Sequence, residues 1–295
     1  MTLRKGQKEL VENYRGGFCA VPAIPGGGKT YSLSYWAAEI ISKGLHKPGK
    51  LLIVTYMNSA VNNFKKRISR LLAERGISSG SDYFVSTIHG LCLQIIMEKP
   101  DAVLADDEFR IIDEARRYEL LDQSIEQWKK ENKGLMEYFV DGEHLKGKKS
   151  GNILDMWQNT FCKVISAAIG DFKTRGISPS EAEKRCKDLP QSSILRCAAR
   201  IYSIYDRNLK TGGFLDFDDM LYNARKLLKD DRELLEKYRR RYTYVCEDEA
   251  QDSNLIQSEI LTMIANGNFL RVGDSNQAIC GTFTNSDPSL FRNFC

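Results

Sequence analysis

The 295-residue sequence lacks the features that mark membrane-spanning and secreted proteins. No apolar run approaches the length of a bilayer span, and the first ten residues, MTLRKGQKEL, lack the apolar core of a signal peptide. Internal repeats and low-complexity tracts are missing as well. We therefore predict a cytoplasmic protein.

The sequence also has little that could hold a structural metal. Its eight cysteines include no CxxC pair and form no cluster with the three histidines. Zinc and iron–sulfur sites need ligands that short spacings bring together, so we predict neither kind of site. Cys19 and Cys246 lie inside apolar runs, where a free thiol behaves as a small hydrophobe, and we expect all the cysteines to be reduced.

An excess of one charge sign is missing too. The 43 Lys and Arg residues against 39 Asp and Glu residues give a formal net charge of +4. Histone-like or tail-driven binding of nucleic acid is excluded, so any such site has to be a local groove. The length allows two domains, or one domain with a large insertion.

Apolar runs that lead into helical patterns predict a parallel α/β sheet. Such runs occur at 18–23 (FCAVPA), 51–56 (LLIVTY), 83–87 (YFVST), 242–246 (YTYVC) and 269–274 (FLRVGD). The predicted helices follow at about 30–42, 59–75, 89–98 and 255–264. The sheet domain is therefore assigned to residues 1–90 and 211–295.

The intervening residues 91–210 have a different pattern. Apolar residues recur at i, i+3, i+4 spacing near 109–130, 152–169, 179–187 and 194–209, without strand runs. A polar stretch at 141–152 reads as a surface loop. We predict an all-helical subdomain that interrupts the sheet domain.

A glycine-rich segment, AIPGGGKT, follows the first apolar run and opens a helix. Glycines let backbone N–H groups cradle phosphate oxygens, and the helix N-terminus adds its positive end. We expect Lys29 to reach the β- and γ-phosphates of a nucleotide and the Thr30 hydroxyl to hold Mg²⁺. Ala23 stands where the strict pattern has glycine. The predicted phosphate-binding residues are Ala23, Pro25, Gly26, Gly27, Gly28, Lys29 and Thr30.

Two polar segments at strand ends complete a predicted hydrolytic set. In YVCEDEAQD (244–252), Asp248 is expected to bind Mg²⁺ through water and Glu249 to polarise the attacking water. A solvated acidic turn is the alternative interpretation. In RVGDSNQAI (271–279), Gln277 has the reach to contact a γ-phosphate, although its spacing alone is a weak signal.

The order of these segments resembles the N-terminal half of the UvrD/Rep/PcrA branch of superfamily 1A DNA helicases. EDEAQDSN (247–254) is similar to the family's DExxQD box, and VGDSNQAI (272–279) to its VGDxxQSI motif. The other similar segments are LRKGQKELV (3–11, Q motif), TYMNSAVNNFKKRI (55–68), STIHGLC (86–92, TxH motif) and GFLDFDDML (213–221). The resemblance implies a RecA-like P-loop NTPase sheet, domain 1A, with 91–210 as the helical insertion 1B.

The resemblance also implies roles for individual residues. Gln7 would contact adenine and Gln277 would sense the γ-phosphate, which makes ATP and Mg²⁺ the expected cofactors. The residues implied to bind DNA are Tyr56, Asn58, Thr87, His89 and Phe283. The implied activity is ATP-driven movement 3′ to 5′ on single-stranded or 3′-tailed DNA, in repair, replication or recombination, within the bacterial cytosol or nucleoid.

The sequence departs from the family pattern in three places. CGTFTNSD (280–287) lacks the family's aromatic–Arg–Gly run, and Glu247 replaces an apolar residue. The motifs of a second RecA-like domain are not found, so we expect that domain to act in cis or in trans and the chain alone to hydrolyse ATP slowly. The alternatives are a non-motor nucleotide- or DNA-binding module that acts through a partner and, with a poorer fit, a P-loop kinase or GTPase.

Overall fold

The computed structural model describes residues 3–24, 26–78, 80–103, 109–132, 135, 150–274 and 288–294. Of the predicted site residues, Pro25, Gln277 and Phe283 lie outside these ranges. The chain divides into two compact units, Met1–Glu98 with Asn223–Cys295 and Lys99–Tyr222. We call them the α/β unit and the helical unit.

The described residues form the helices and strands whose bounds follow. In chain order they are α1 (Lys5–Asn13), β1 (Gly17–Pro22), α2 (Lys29–Ser42), β2 (Lys50–Thr55), α3 (Asn58–Ala73), β3 (Tyr83–Thr87), α4 (Ile88–Met97), β4 (Arg110–Ile111), α5 (Glu114–Glu131), α6 (Ser150–Thr174), α7 (Pro179–Cys186), α8 (Ile194–Thr211), β5 (Phe214–Leu215), α9 (Phe217–Asp230), α10 (Arg232–Arg241), β6 (Tyr242–Asp248), α11 (Leu255–Ile264), β7 (Asn268–Gly273) and α12 (Pro288–Arg292).

A five-stranded sheet in the order β1-β7-β6-β2-β3 organises the α/β unit. Every neighbouring pair in it is parallel. The carboxyl ends of all five strands therefore lie along one edge of the sheet. Ligands of open α/β sheets bind outside this edge, so the loops that leave it are where a site is expected.

Helices cover both faces of this sheet. Leu51, Leu52 and Ile53 follow one another in β2 and are all fully buried, although successive side chains point to opposite faces. On one face Leu51 and Ile53 share a core with Trp36 of α2 and Phe64 of α3. α10 and α11 contact each other and β6. A strand that is buried on both faces reads as a continuous apolar run, which is why these strands stand out in the sequence.

The helical unit has a separate core between α5, α6, α7 and α8. Trp128 stacks on Phe161 with ring centroids 6.0 Å apart, and Phe172 stacks on Tyr202 at 6.2 Å. All four rings belong to this core. Since bulky aromatic rings dominate the buried area, they fix how the helices pack.

The helical unit also contains a buried ionic cluster, which we call the Lys173 cluster. Its members are Lys173, Asp216, Asp219, Tyr205 and Arg117. Lys173 Nζ lies 2.6 Å from Asp216 Oδ2 and 2.7 Å from Asp219 Oδ1, and the Lys173 and Asp216 side chains are each 1% exposed. Tyr205 donates its hydroxyl to Asp216 at 2.9 Å, and Arg117 Nε lies 3.8 Å from the same carboxylate. Burial and the Asp216 charge raise the pKa of Asp219 to about 7. Although burial opposes it, the Lys173 ammonium holds the pKa of Asp216 below its ordinary value.

The main differences from the sequence predictions are short or polar elements. The helix predicted from residue 109 begins at Glu114, because Asp113 caps it by accepting a hydrogen bond from Arg116 N at 2.9 Å. Residues 110–111 instead form β4, which pairs with β5 in a two-residue parallel ladder that the sequence did not predict. The helices α1, α9 and α10 were not predicted either. Within the described residues, none of the helices is both long and apolar enough to span a bilayer.

Candidate functional site

The glycine-rich loop joins β1 to α2 at the carboxyl edge of the sheet. Gly26 and Gly28 have positive φ angles of 66° and 82°, which residues with side chains rarely adopt. A Cβ atom at Gly27 would lie 2.8 Å from the carbonyl oxygen of Ile24, so this position has no room for a side chain. Ala23 N donates to Gly273 O at 2.8 Å and ties the loop to the end of β7. The loop is thus a tight backbone turn that ends at the N-terminus of a helix of 14 residues.

Lys29, the first residue of α2, forms an ion pair with Glu249. The Lys29 side chain is 10% exposed and that of Glu249 is 34% exposed. The structure therefore brings together the predicted phosphate-binding lysine and the predicted water-polarising carboxylate. A bound phosphate would compete with Glu249 for the ammonium group, since both are anions.

Asp248 ends β6 and is 5% exposed. Its Oδ1 atom has no hydrogen-bond partner among the described residues. Burial raises the pKa of Asp248 to about 7, the Glu249 charge adds to the shift, and Lys29 opposes it. A buried carboxylate oxygen without a partner is costly, and a cation at this point would stabilise its ionised form.

Glu249 follows in the left-handed conformation, with φ 58° and ψ 42°, and the chain then makes a 3₁₀ turn over Ala250–Asp252. We call residues 249–253 the acidic turn. Gln251 Nε2 donates to Glu249 Oε2 at 2.8 Å, and Gln251 Oε1 accepts from Asp274 N at 2.9 Å. A Cβ atom at Gly273 would lie 2.7 Å from Gln251 Oε1 and 3.1 Å from its backbone nitrogen. The ends of β6 and β7 are therefore in direct contact.

Gln7 of α1 lies against the phosphate loop. Its Nε2 donates to Gly27 O at 2.9 Å, and its Oε1 accepts from Arg4 N at 2.9 Å. A cavity of about 350 Å³ opens beside it, bordered by Leu10, Val21, Ile24 and Lys29 among others. This volume lies at the lower end of the range for small-molecule sites, roughly 300–1,000 Å³, and apolar walls suit the faces of a planar base.

These residues fit a nucleoside triphosphate with Mg²⁺. The glycine loop offers backbone donors in a turn that side chains cannot fill, and Lys29 supplies a cation. Among the described residues there is no group of three or more His, Cys, Asp or Glu side chains that could hold a metal by itself. Mg²⁺ in phosphate sites needs only one or two protein ligands and takes the rest from water and phosphate. The unpartnered oxygen of Asp248 and the Thr30 hydroxyl on α2 meet that need.

The predicted DNA-contacting residues lie along the same edge, beyond β6. Tyr56 follows β2 and is 41% exposed, and Asn58 begins α3. Thr87 ends β3, and its Oγ1 accepts from Gly90 N at 3.1 Å as the cap of α4. Burial lowers the pKa of His89, so its ring is neutral at pH 7. β2 and β3 lie on the far side of β6 from β1, so these residues are separated from the phosphate loop by the ends of β7 and β6.

Sequence reasoning assigned no role to Gln251 and Ser253 of the acidic turn, or to Glu247 and its partner Arg271. Gln251 bridges the two strand ends, while Glu247 is bonded to Ser253 and to Arg271 of β7. The signal for Glu247 was its unusual charge in an apolar strand. Its partner is not readable from the sequence because the pairing depends on the register of β6 against β7.

A phosphate loop on the first strand, with an acidic strand end beside it on a parallel sheet, defines a P-loop NTPase of the RecA-like class. Comparison with known proteins then gives the family. Residues 3–295 match the UvrD/REP helicase N-terminal domain, and the chain belongs to that family.

Curated relatives agree with this assignment. The chain is similar to the ATP-dependent DNA helicase Rep of Buchnera aphidicola, with 28% identity over 281 residues that cover 95% of this chain and 38% of the relative. It is also similar to the ATP-dependent DNA helicase PcrA of Staphylococcus aureus, with 26% identity over 277 residues that cover 93% of this chain and 33% of the relative. The chain thus spans between a third and two fifths of the length of these relatives.

Proposed function

We propose that this chain is the ATP- and single-stranded-DNA-binding N-terminal portion of an ATP-dependent DNA helicase that moves 3′ to 5′. The observation that carries the proposal is the meeting of Lys29 with Glu249 beside the unpartnered Asp248 oxygen. The α/β unit corresponds to domain 1A and the helical unit to insertion 1B. Family membership and the names of the relatives support the helicase class.

In this proposal the Lys29–Glu249 ion pair breaks when nucleotide binds and is replaced by contacts between Lys29 and phosphate. Lys29 turns to the β- and γ-phosphates, and Glu249 is released to accept a proton from the attacking water. Thr30 and Asp248 would hold Mg²⁺, which would neutralise charge on the phosphates. Glu249 is positioned for this exchange because its neighbour Gln251 already holds its carboxylate at 2.8 Å.

Gln7 is proposed to bind adenine. Both ends of its amide are used in this structure, by Gly27 O and by Arg4 N. Because the amide keeps a second N–H donor and a second oxygen lone pair, Gln7 can contact a base while it stays bonded to Gly27, which couples base recognition to the position of the phosphate loop. Gln277 is proposed as the γ-phosphate sensor from the motif resemblance alone.

The DNA path is proposed to run over the ends of β2 and β3. Tyr56 offers an exposed ring for base stacking, and Asn58 with the N-terminus of α3 offers donors for a phosphate. Thr87 and the neutral ring of His89 are proposed to contact the backbone as hydrogen-bonding groups. Phe283 is proposed as a further stacking residue by resemblance.

A second RecA-like domain, joined in cis or supplied in trans, is proposed as a partner. An arginine finger that stabilises charge on the γ-phosphate is worth roughly 10³–10⁵ in rate. Movement along DNA further needs two domains that close on ATP. We expect the 295 residues alone to bind ATP–Mg²⁺ weakly and to hydrolyse it slowly.

Binding measurements on the purified chain test the nucleotide part. A fluorescent ATP analogue is titrated with and without Mg²⁺, in competition with ATP, GTP and CTP. We expect Mg²⁺-dependent binding that ATP displaces best. Equal displacement by GTP, or no binding at millimolar nucleotide, would overturn the proposal.

Fluorescence anisotropy with a labelled oligothymidylate tests the DNA part. Tyr56→Ala is expected to weaken binding, because stacking on an aromatic ring contributes about 1–3 kcal/mol per base. Tyr118→Ala is the matched control, since Tyr118 is similarly exposed at 43% but lies on α5 of the helical unit. Equal losses in both variants would show that the ends of β2 and β3 are not the DNA path. Polarity is measured in the full-length protein on 3′-tailed and 5′-tailed duplexes.

A further inference from the structure

We infer that Glu247 and Arg271 form a positioning pair that fixes the acidic turn, and with it Asp248 and Glu249, for Mg²⁺–nucleotide binding. The inference rests on the proposed function and adds two residues to it. Neither residue touches the expected position of the nucleotide. Both act through the backbone and side chains of residues 248–253.

Glu247 stands next to Asp248 in β6 and is 4% exposed. Its Oε2 accepts from Arg271 Nε at 2.6 Å, and its Oε1 accepts a hydrogen bond from the Ser253 hydroxyl. Ser253 is the last residue of the acidic turn. The Glu247 carboxylate thus links β6, which precedes the acidic turn, to Ser253 at the end of the turn. This contact restrains the turn at both of its ends.

Arg271 lies directly across from Glu247 in the register of β6 and β7 and is fully buried. Its second nitrogen, Nη1, donates to the Ser258 hydroxyl at 3.3 Å and to Leu290 O at 3.1 Å. Its guanidinium lies over the ring of Phe294, 5.0 Å from the centroid. Arg271 therefore holds Glu247 in one orientation from a rigid position between a strand, a helix and residues 290–294.

The acidic turn needs such an anchor because its first residue has an unfavourable backbone conformation. Glu249 is the sole residue other than glycine with a positive φ angle in the described part of the chain. Non-glycine residues persist in this conformation when the surrounding structure holds them there. The Ser253–Glu247 bond at the other end of the turn supplies part of that restraint.

A role in stability alone would not require charged residues here. An apolar pair of similar volume in place of a buried ion pair is often neutral or stabilising. The double variant Glu247→Leu/Arg271→Met approximates the volume of the pair while it removes the anchor on Ser253. It therefore separates the contribution of the pair to folding from its contribution to the position of the turn.

The experiment measures how much Mg²⁺ increases the affinity of the purified chain for a fluorescent ATP analogue. Affinity without Mg²⁺ reports on the phosphate loop, and the increase with Mg²⁺ reports on Asp248 and the turn. In the double variant we expect the Mg²⁺-dependent increase to fall by about 10-fold, the low end of losses for residues that orient a metal site. Affinity without Mg²⁺ is expected to stay unchanged.

Two further variants cover the case in which the double variant does not fold. Ser253→Ala leaves the Glu247–Arg271 ion pair intact and removes the anchor, so it is expected to show a smaller loss of the same kind. Ser253→Thr retains the hydroxyl and is expected to keep the wild-type increase. The matched control is Arg225→Met/Glu259→Leu, which removes an ion pair between α9 and α11 in the same unit.

The outcomes are distinguishable. If the wild-type chain shows no Mg²⁺-dependent increase, the proposed function itself fails. If the wild type shows it and both the double variant and Ser253→Ala retain it, the pair serves folding only and the inference is wrong. Parallel losses with and without Mg²⁺ would likewise assign the pair to stability, as would an equal loss in the α9–α11 control.

Discussion

Each of the two units contains buried carboxylates that follow the end of a strand, and their surroundings differ. In the helical unit, Asp216 follows β5 and is held by Lys173 at 2.6 Å and Tyr205 at 2.9 Å, while its other oxygen accepts from Asp219 N at 2.7 Å. In the α/β unit, Asp248 ends β6 with one oxygen that has no partner among the described residues. The sequence alone shows two acidic segments of similar composition.

The difference lies in what neutralises the charge. A buried carboxylate whose charge is neutralised by an ammonium group of the same unit needs no further ligand, and it contributes to the structure of that unit. A buried carboxylate with a free oxygen beside an exposed phosphate loop needs a cation from outside. We therefore propose that the Lys173 cluster serves folding and the Asp248 site serves binding, and we expect the two to respond oppositely to substitution.

The largest expected effect is on the Lys173 cluster. Lys173→Met leaves Asp216 and Asp219 buried without their ammonium partner, so the free energy of unfolding is expected to fall by about 3–5 kcal/mol. Urea denaturation measures the loss, and hydrogen exchange should place it in α6 and α8. Arg185→Met is the control: Arg185 and its partner Glu181 are 59% and 43% exposed, and exposed pairs contribute about 0–1 kcal/mol. Equal losses in both variants would contradict the assignment.

Lys29→Ala is expected to change nucleotide affinity and to leave stability nearly unchanged, the reverse of Lys173→Met. We expect nucleotide affinity to fall about 10- to 100-fold, as for the loss of hydrogen bonds to a charged group, with the free energy of unfolding nearly unchanged. Stability is spared because Glu249 is 34% exposed and remains solvated without its partner. Titration with a fluorescent ATP analogue and urea denaturation of the same sample measure both quantities. A stability loss as large as that of Lys173→Met would remove the contrast between the units.

The pH dependence of stability sharpens the comparison further. The pKa of Asp219 is raised to about 7, so the folded state holds a proton that the unfolded state releases near pH 4. Stability from this group is present at low pH and is lost as the pH rises towards 7. Asp219→Asn is expected to reduce the slope of unfolding free energy between pH 4 and 7, by at most about 1.4 kcal/mol per pH unit for one proton. An unchanged slope in urea denaturation across this range would show that Asp219 titrates normally.

The smallest expected effect is a gain. Asp248→Asn removes a buried charge that lacks a partner on one oxygen, so we expect stability without Mg²⁺ to rise by about 0.5–1 kcal/mol at pH 8. Thermal melting measures this gain, and the same variant should lose the Mg²⁺-dependent increase in nucleotide affinity. Asp216→Asn is the counterpart in the helical unit and is expected to destabilise. A destabilised Asp248→Asn would make Asp248 a structural residue.

Much of the fold could be predicted from the sequence because the three central strands β2, β6 and β7 are buried on both faces and the outer strands β1 and β3 are short apolar runs. Their apolar runs place each strand within one or two residues, and the helix Leu255–Ile264 begins and ends where the pattern predicts. α9 was missed although its buried residues recur at helical spacing, whereas the other missed elements lack an apolar signal. α1 buries one residue, Val11. α10 consists largely of charged residues, and Asp231 caps its N-terminus. The ladder of β4 and β5 is two residues long, which is too short for a period to appear.

Some residues of the candidate site could likewise be predicted from the sequence, and others could not. Lys29, Asp248 and Glu249 were predicted together because all of them follow strand ends, and parallel strands end on one edge. Their roles remain predictions, as do those of Gln7, Tyr56 and His89. The Glu247–Arg271 pair could not be predicted, since its partners are joined by the register of two strands rather than by any spacing along the chain.

The close approach at Gly273 has a consequence for how this sequence tolerates change. With Gln251 Oε1 2.7 Å and Gln251 N 3.1 Å from the position of a Cβ atom, alanine there would require the Gln251 side chain to move and the backbone of the acidic turn to shift by a few tenths of an ångström. Gly273 has no side chain that could take part in binding, yet we expect the protein to tolerate few substitutions at this position. Among variants selected for nucleotide binding, we expect an unchanged residue 273 to be as frequent as an unchanged Lys29.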